Sequence, residues 1–131
     1  MLNDFTTTEQ GNIKIANEVI EVIAGLAATE VQGVAGMSGG IVGGIAELLG
    51  RKNLSKGVKV EVGQKQCAVD VSIVAEYGVR IPEVAGDIQQ NVKQAIESMT
   101  GLEVVEVNVH VLGVTFHKPE EREEEVPARV R

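Results

Sequence analysis

Residues 67–112 read CAVDVSIVAEYGVRIPEVAGDIQQNVKQAIESMTGLEVVEVNVHVL, and the changes of period inside this stretch decide the fold. Cys67, Val69, Val71, Ile73, Ala75 and Tyr77 recur at every second residue and so share one face of a strand. Asp70, Ser72 and Glu76, with Ala68 and Val74, take the other face. Pro82 suits the opening turn of a helix. From there the apolar positions become Val84, Ala85, Ile88, Val92, Ala95, Ile96 and Met99, with Glu, Asp, Gln, Asn and Lys between them. Steps of three and four predict an amphipathic helix, and Gly101 is its stop signal. Val105, Val107, Val109 and Val111 then alternate with Glu106, Asn108, His110 and Leu112, which predicts a second strand with one buried face. A strand–helix–strand unit of this kind crosses over when its strands lie parallel in one sheet.

Upstream, Val58, Val60 and Val62 alternate with Lys59 and Glu61, and Gly63–Gln66 makes a turn, so 58–77 reads as a β-hairpin. Ile13 and Ile15 lie in a short strand. Asn17 is expected to cap a helix to about Thr29, with Val19, Ile20, Ile23, Leu26 and Ala27 as its apolar stripe. Gly33 ends that unit and Val34–Met37 forms a brief strand. Eight glycines between 33 and 57 argue against a continuous helix. A loop is expected there, with a turn or two of helix over 41–49. The resulting class is α+β: two layers, a small mixed sheet containing a β-hairpin, and helices packed on one face. Residues 1–10 read as a flexible tail, 11–116 as the domain, and 117–131 as a disordered charged tail broken by Pro119 and Pro127.

The chain of 131 residues carries a net charge of -7 and only three aromatic residues, Phe5, Tyr77 and Phe116. An acidic surface repels phosphate backbones and anionic lipid, and a Val/Ile/Leu/Ala core offers few rings for stacking on bases. The first residues lack a basic segment followed by an apolar one, and no run of ~18 apolar residues occurs. The lone Cys67 fits a reducing compartment. The expected location is cytoplasmic, with any membrane association peripheral and through a partner.

Few residues suggest chemistry. His110 and His117 are seven apart, so one strand would turn them to opposite faces. Cys67 shares its face with Val69 and Val71, as a small buried hydrophobe does. Metal-ligand, nucleophile-elbow and P-loop spacings are missing from the sequence. No catalytic residue, cofactor site or metal site is therefore assigned. The candidate interaction surface is Ile41, Val42, Ile45, Leu48 and Leu49, which could form a short amphipathic turn beside Arg51, Lys52 and Lys56. Arg51, Lys52, Lys56, Lys59 and Lys65 place five of twelve positive charges within fifteen residues. With the glycine loop, whose Gly36-Met37-Ser38-Gly39 and Gly40-Ile41-Val42-Gly43 have the form of a backbone clamp, the cluster at 51–59 supplies the alternative reading of a nucleic-acid-binding module.

Several segments resemble one known family in order. They are Gly11–Ile20, the run Ala28-Thr29-Glu30-Val31-Gln32-Gly33-Val34, Lys56–Val60 with Val69–Tyr77, the junction Tyr77–Ala85, and Val104–Val114. Together they resemble the alkaline shock protein family, also called the Gls-type general-stress family. That resemblance implies a Gram-positive bacterial protein of the envelope stress response. It implies a non-enzymatic scaffold or regulatory protein-binding module, linked to cell-envelope or fatty-acid homeostasis. The partners it implies are proteins, including a membrane-anchoring protein or acetyl-CoA carboxylase; with no catalytic constellation in the sequence, a scaffold that also forms a homo-oligomer is a further expectation.

Overall fold

In a computed structural model, the described residues are 3–8, 10–38 and 55–116. In chain order they form β1 (Asn3–Thr8), β2 (Gly11–Ile15), α1 (Asn17–Thr29), β3 (Val34–Met37), β4 (Val58–Val62), β5 (Gln66–Glu76), α2 (Ile81–Thr100) and β6 (Glu103–Thr115). β5 is the central strand. β4 pairs antiparallel with it as a hairpin, Val62 opposite Cys67 and Val58 opposite Val71. β3 pairs antiparallel further along the same edge, Met37 opposite Ile73. β6 takes the other edge, parallel, from Gln66 opposite Glu103 to Glu76 opposite Thr115. The sheet is thus mixed and three strands across, with β3 and β4 sharing one edge.

Ser72 marks the point where β3 gives way to β4. The Ser38 amide donates to its carbonyl at 2.9 Å, and its own amide donates to the Gly57 carbonyl at 2.8 Å. Only glycine fits at 57: its φ is +81°, and a Cβ there would come within 2.9 Å of the Ser38 and Ser72 carbonyl oxygens. Gly33 is similarly required at the turn after α1, with φ +102° and a Cβ position 2.8 Å from Val84 Cγ2.

Both helices cover one face. Cys67, Val69, Val71, Ile73 and Ala75 of β5 are buried there against Ile20, Ile23, Ala24, Ala27 and Ala28 of α1 and Val84, Ile88, Val92 and Ile96 of α2. Period two on the strand and period three to four on the helices meet in a single core, the two-layer α+β arrangement read from the sequence. A polar tie joins the helices, as Asn91 Nδ2 of α2 donates to the Ala27 carbonyl of α1 at 2.8 Å. Gly101 ends α2 in the left-handed conformation, φ 79°.

The structure corrects several sequence expectations. Residues 3–8 are not a loose tail. They form β1, hydrogen-bonded antiparallel to β2, because a polar, threonine-rich strand needs only a partner edge. Asn17 does not cap α1. Ala16 occupies the cap without a side-chain bond, and Asn17 Oδ1 is buried without a hydrogen-bond partner among the described residues. Tyr77 lies past the end of β5 and is exposed, as are Met99 at 67 % and Val105. Val105 is exposed because a bulge falls between the pairs Cys67–Val104 and Ala68–Glu106, so Val104 takes the buried position instead. The expected helical turn over 41–49 and the tail from 117 lie outside the described residues.

Two predictions follow from this packing. Ile88→Ala should destabilise the domain by about 2–5 kcal/mol, and Met99→Ala by less than about 0.5 kcal/mol, in urea titrations of the two variants. Similar losses for both would contradict the burial of Ile88. The second concerns Glu97. Its Oε2 accepts from the Val104 amide at 2.9 Å and lies 3.1 Å from Lys93 Nζ. The Val104 amide first, and Lys93 next, hold its carboxyl below the ordinary value of 4.5. A depressed carboxyl stabilises the fold fully above that ordinary value. The contribution is lost as pH falls below it and through the lower, folded-state value. Stability measured from about pH 6 down to about pH 3 should therefore fall less steeply in Glu97→Gln than in the wild type.

Candidate functional site

No described element covers the second face of the sheet. Because the side chains of a strand alternate, burying Cys67, Val69, Val71 and Ile73 under the helices turns Ala68, Asp70, Ser72 and Val74 to this outer face. Register then aligns rows across the three strands. Glu61, Ala68 and Glu106 make one row; Lys59, Asp70 and Asn108 make the next; Gly57 hydrogen-bonds to Ser72, which stands opposite His110, in a third. Asn108 is the organising residue. Its Nδ2 donates to Asp70 Oδ1 at 2.8 Å and to Glu106 Oε2 at 2.7 Å, tying two carboxylates on neighbouring strands to one amide. A cleft of about 350 Å³ opens beside this network, lined by Gly57, Val58, Lys59, Asp70, Ser72, His110 and Leu112.

The walls of that cleft carry one cation, one partly buried carboxylate and one imidazole, with Lys59 and His110 exposed. Such a surface can hydrogen-bond and pair charges with a partner over a broad area. It does not gather titratable groups around one reacting atom. Among the described residues, the His110 ring makes no hydrogen bond to Ser72 or Asp70, and no group of three or more His, Cys, Asp or Glu could hold a metal ion. Cys67 is only 2 % exposed. It opposes Val104, five residues along β5 from the position opposite His110, and faces the core while His110 faces outward. Burial pushes the Cys67 thiol up, and the Glu97 charge adds to that, so the thiolate that reacts is suppressed. In the folded protein, Cys67 should be modified by a thiol reagent at least about 100-fold more slowly than in denaturant. Equal rates in a stopped-flow or spectrophotometric assay would show the core to be open.

Of the surface expected from the sequence, Ile41, Val42, Ile45, Leu48, Leu49, Arg51 and Lys52 lie outside the described residues. Lys56 is exposed in the turn leading into β4. Lys59 and Lys65 are exposed too, but Lys59 stands opposite Asp70, with Glu61 two residues along on the same face. The described part of the basic cluster is therefore interleaved with carboxylates. Sequence reading assigned His110 to the polar face and passed over Asn108 and Asp70. Their parity in two adjacent valine-rich strands was the available signal, but their contact depends on a register that only the folded sheet supplies.

The protein YqhY of Bacillus subtilis (strain 168), which is named as uncharacterized, is 45% identical over 113 residues, or 86% of this chain and 84% of that protein. YloU of the same organism is 40% identical over 114 residues, covering 86% of this chain and 95% of YloU. A Streptococcus pyogenes protein named stress response regulator gls24 homolog is 39% identical over 112 residues, 85% of this chain. The match spans 63% of that longer protein. Among solved structures, a MamM-CTD chain has a TM-score of 0.47 at 14% identity over 75% of this chain and 99% of its own, a likeness too slight to bear on function. No described helix is long and apolar enough to cross a membrane. The Gls-type resemblance seen in the sequence thus has its counterpart in relatives named for the stress response. With a family model matching residues 5–116, the chain belongs to the alkaline shock protein 23 family, whose description is a cell envelope-related function.

Proposed function

We propose that the protein acts without catalysis, as a scaffold or regulatory module that binds another protein during the stress or envelope response. The observation that carries this reading is the outer sheet face. It is broad, and no described element covers it, while its polar groups are spread in rows rather than gathered at one point. Lys59, Asp70, Asn108 and His110 offer a mixed-charge surface of the kind that sets register and specificity between proteins. The net charge of -7 and the carboxylates beside Lys59 disfavour a polyanion there. Relatives named as stress response regulators and the family's envelope-related description set the setting in which such binding would act. A membrane-anchoring protein, or an enzyme of fatty-acid synthesis such as acetyl-CoA carboxylase, is the class of protein partner proposed.

The test is photo-cross-linking in intact Gram-positive cells, with a photoreactive residue at Ser72 on the outer face or, as control, at Met99 on α2. One defined protein should be captured from position 72 and not from 99. A Lys59→Glu, Asn108→Lys double variant should reduce that capture at least about tenfold. Capture that ignores both the position and the double variant would defeat the assignment of this face.

A further inference from the structure

α1 is apolar on two sides. Ile20, Ala24, Ala27 and Ala28 are buried in the core. Val19, Val22 and Leu26 make a second row in steps of three and four, which at about 3.6 residues per turn falls roughly opposite the first. Val22 is half-buried, but Val19 is 47 % and Leu26 46 % exposed. The sequence pattern places both in one core stripe, and the fold does not bury them. α1 packs on the sheet and beside α2, and no described element lies over this row. α2 shows what the same layer presents to water alone. Its outward positions Glu83, Asp87, Gln90 and Gln94, also three and four apart, are exposed and polar throughout. A helix that needs one buried face has no use for a second apolar row, whereas three-and-four spacing is how one helix receives the apolar seam of another.

The charges beside the row are of one sign. Glu18 and Glu30 flank its two ends, and Glu21 lies alongside. No Lys, Arg or His occurs between Lys14 and Arg51. Among the described residues the ion pairs are Arg80–Glu83 and Lys93–Glu97, and neither involves these three carboxylates. Burial first, and the Glu18 charge next, hold the Glu21 carboxyl above its ordinary value of 4.5, as befits carboxylates without a counter-charge. A cleft of about 370 Å³ in the furrow toward α2 is lined by Glu30, Asp87, Gln90 and Gln94 among others, with no cation in its wall. A second copy laid on this row would set Glu18, Glu21 and Glu30 against their own like, in a chain of net charge -7, so the face is unsuited to self-pairing.

We propose that the outward row of α1 receives an amphipathic helix of a different protein, one with an apolar seam flanked by lysine or arginine. The seam seats on Val19, Val22 and Leu26. The flanking cations meet Glu18 and Glu30 and, across the furrow, Asp87. Burial of the apolar row supplies the attraction, and the carboxylates select a basic partner over an acidic one. This contact is separate from the scaffold reading of the outer face. The helices and that face lie on opposite sides of the sheet, so either can fail alone.

The probe is a fluorescent synthetic helix of about three heptads, with leucine at the seam and lysine beside it. Its anisotropy should report binding to the full chain with a Kd of about 10–100 μM. The same peptide with glutamine in place of the seam leucines should bind at least about tenfold more weakly. Val19→Ser with Leu26→Ser should weaken the leucine–lysine peptide at least about tenfold. Glu18→Lys with Glu30→Lys should reverse the preference, so that a leucine–glutamate peptide binds better although the chain stays net negative. All four positions are at least half open to water or lie at the ends of α1, so these variants fold. Glu103→Lys, at the start of β6, should leave the affinity within about twofold. Equal binding of the leucine and glutamine peptides would reduce the contact to attraction by net charge and overturn the proposal. So would an unchanged affinity in the serine variant, no reversal in the lysine variant, or no binding at all. Binding that appears only after Leu48→Ser and Leu49→Ser would overturn it too, by showing that the chain itself occupies the row.

Discussion

β5 is the constraint on which the rest of this structure depends. It is hydrogen-bonded along both edges, to β3 and β4 on one side and β6 on the other, and alternate side chains enter the core. Val69, Val71, Ile73 and Ala75 are essentially free of solvent. In such a strand a slip of one residue would exchange Val69 and Val71 for Asp70 and Ser72 in the core, which no partner there could offset. The register of β5 therefore fixes the position of both helices and, on the reverse side, the composition of the outer face.

That coupling explains why the candidate surface is built as it is. Asp70, Asn108 and Lys59 come from three strands and have no proximity in sequence. They share a face because each sits one step from a valine on the core side of its strand. Their chemistry is that of an open polar sheet: hydrogen bonds at the water interface, weak one by one and useful for recognition in number. Cys67 and His110 illustrate the converse. They lie on adjacent strands, but opposite parity puts one in the core and the other in solvent, so they have no chemistry in common.

The family assignment and the surface answer different questions. The family's description is a cell envelope-related function, and a relative at about two-fifths identity is named for the stress response. The geometry bears on how a small α+β domain could act there, through the outer face with its spread polar rows.

The amino-acid sequence by itself determined the elements. Period two over 58–62 and 67–75, and period three to four over 84–96, follow from local alternation and from the cost of exposing valine and isoleucine to water. The stops at Gly33 and Gly101 follow from backbone sterics, so α1 and α2 were legible almost to the residue. Only the tertiary structure decided what depends on pairing. It recruited residues 3–8 into a strand, left the Asn17 cap unused, and turned Val105 outward at a bulge. It also brought Asn108 to Asp70. Those outcomes rest on hydrogen bonds between residues up to 38 apart in the chain, and a local pattern carries no information about which distant edge will be present to meet it.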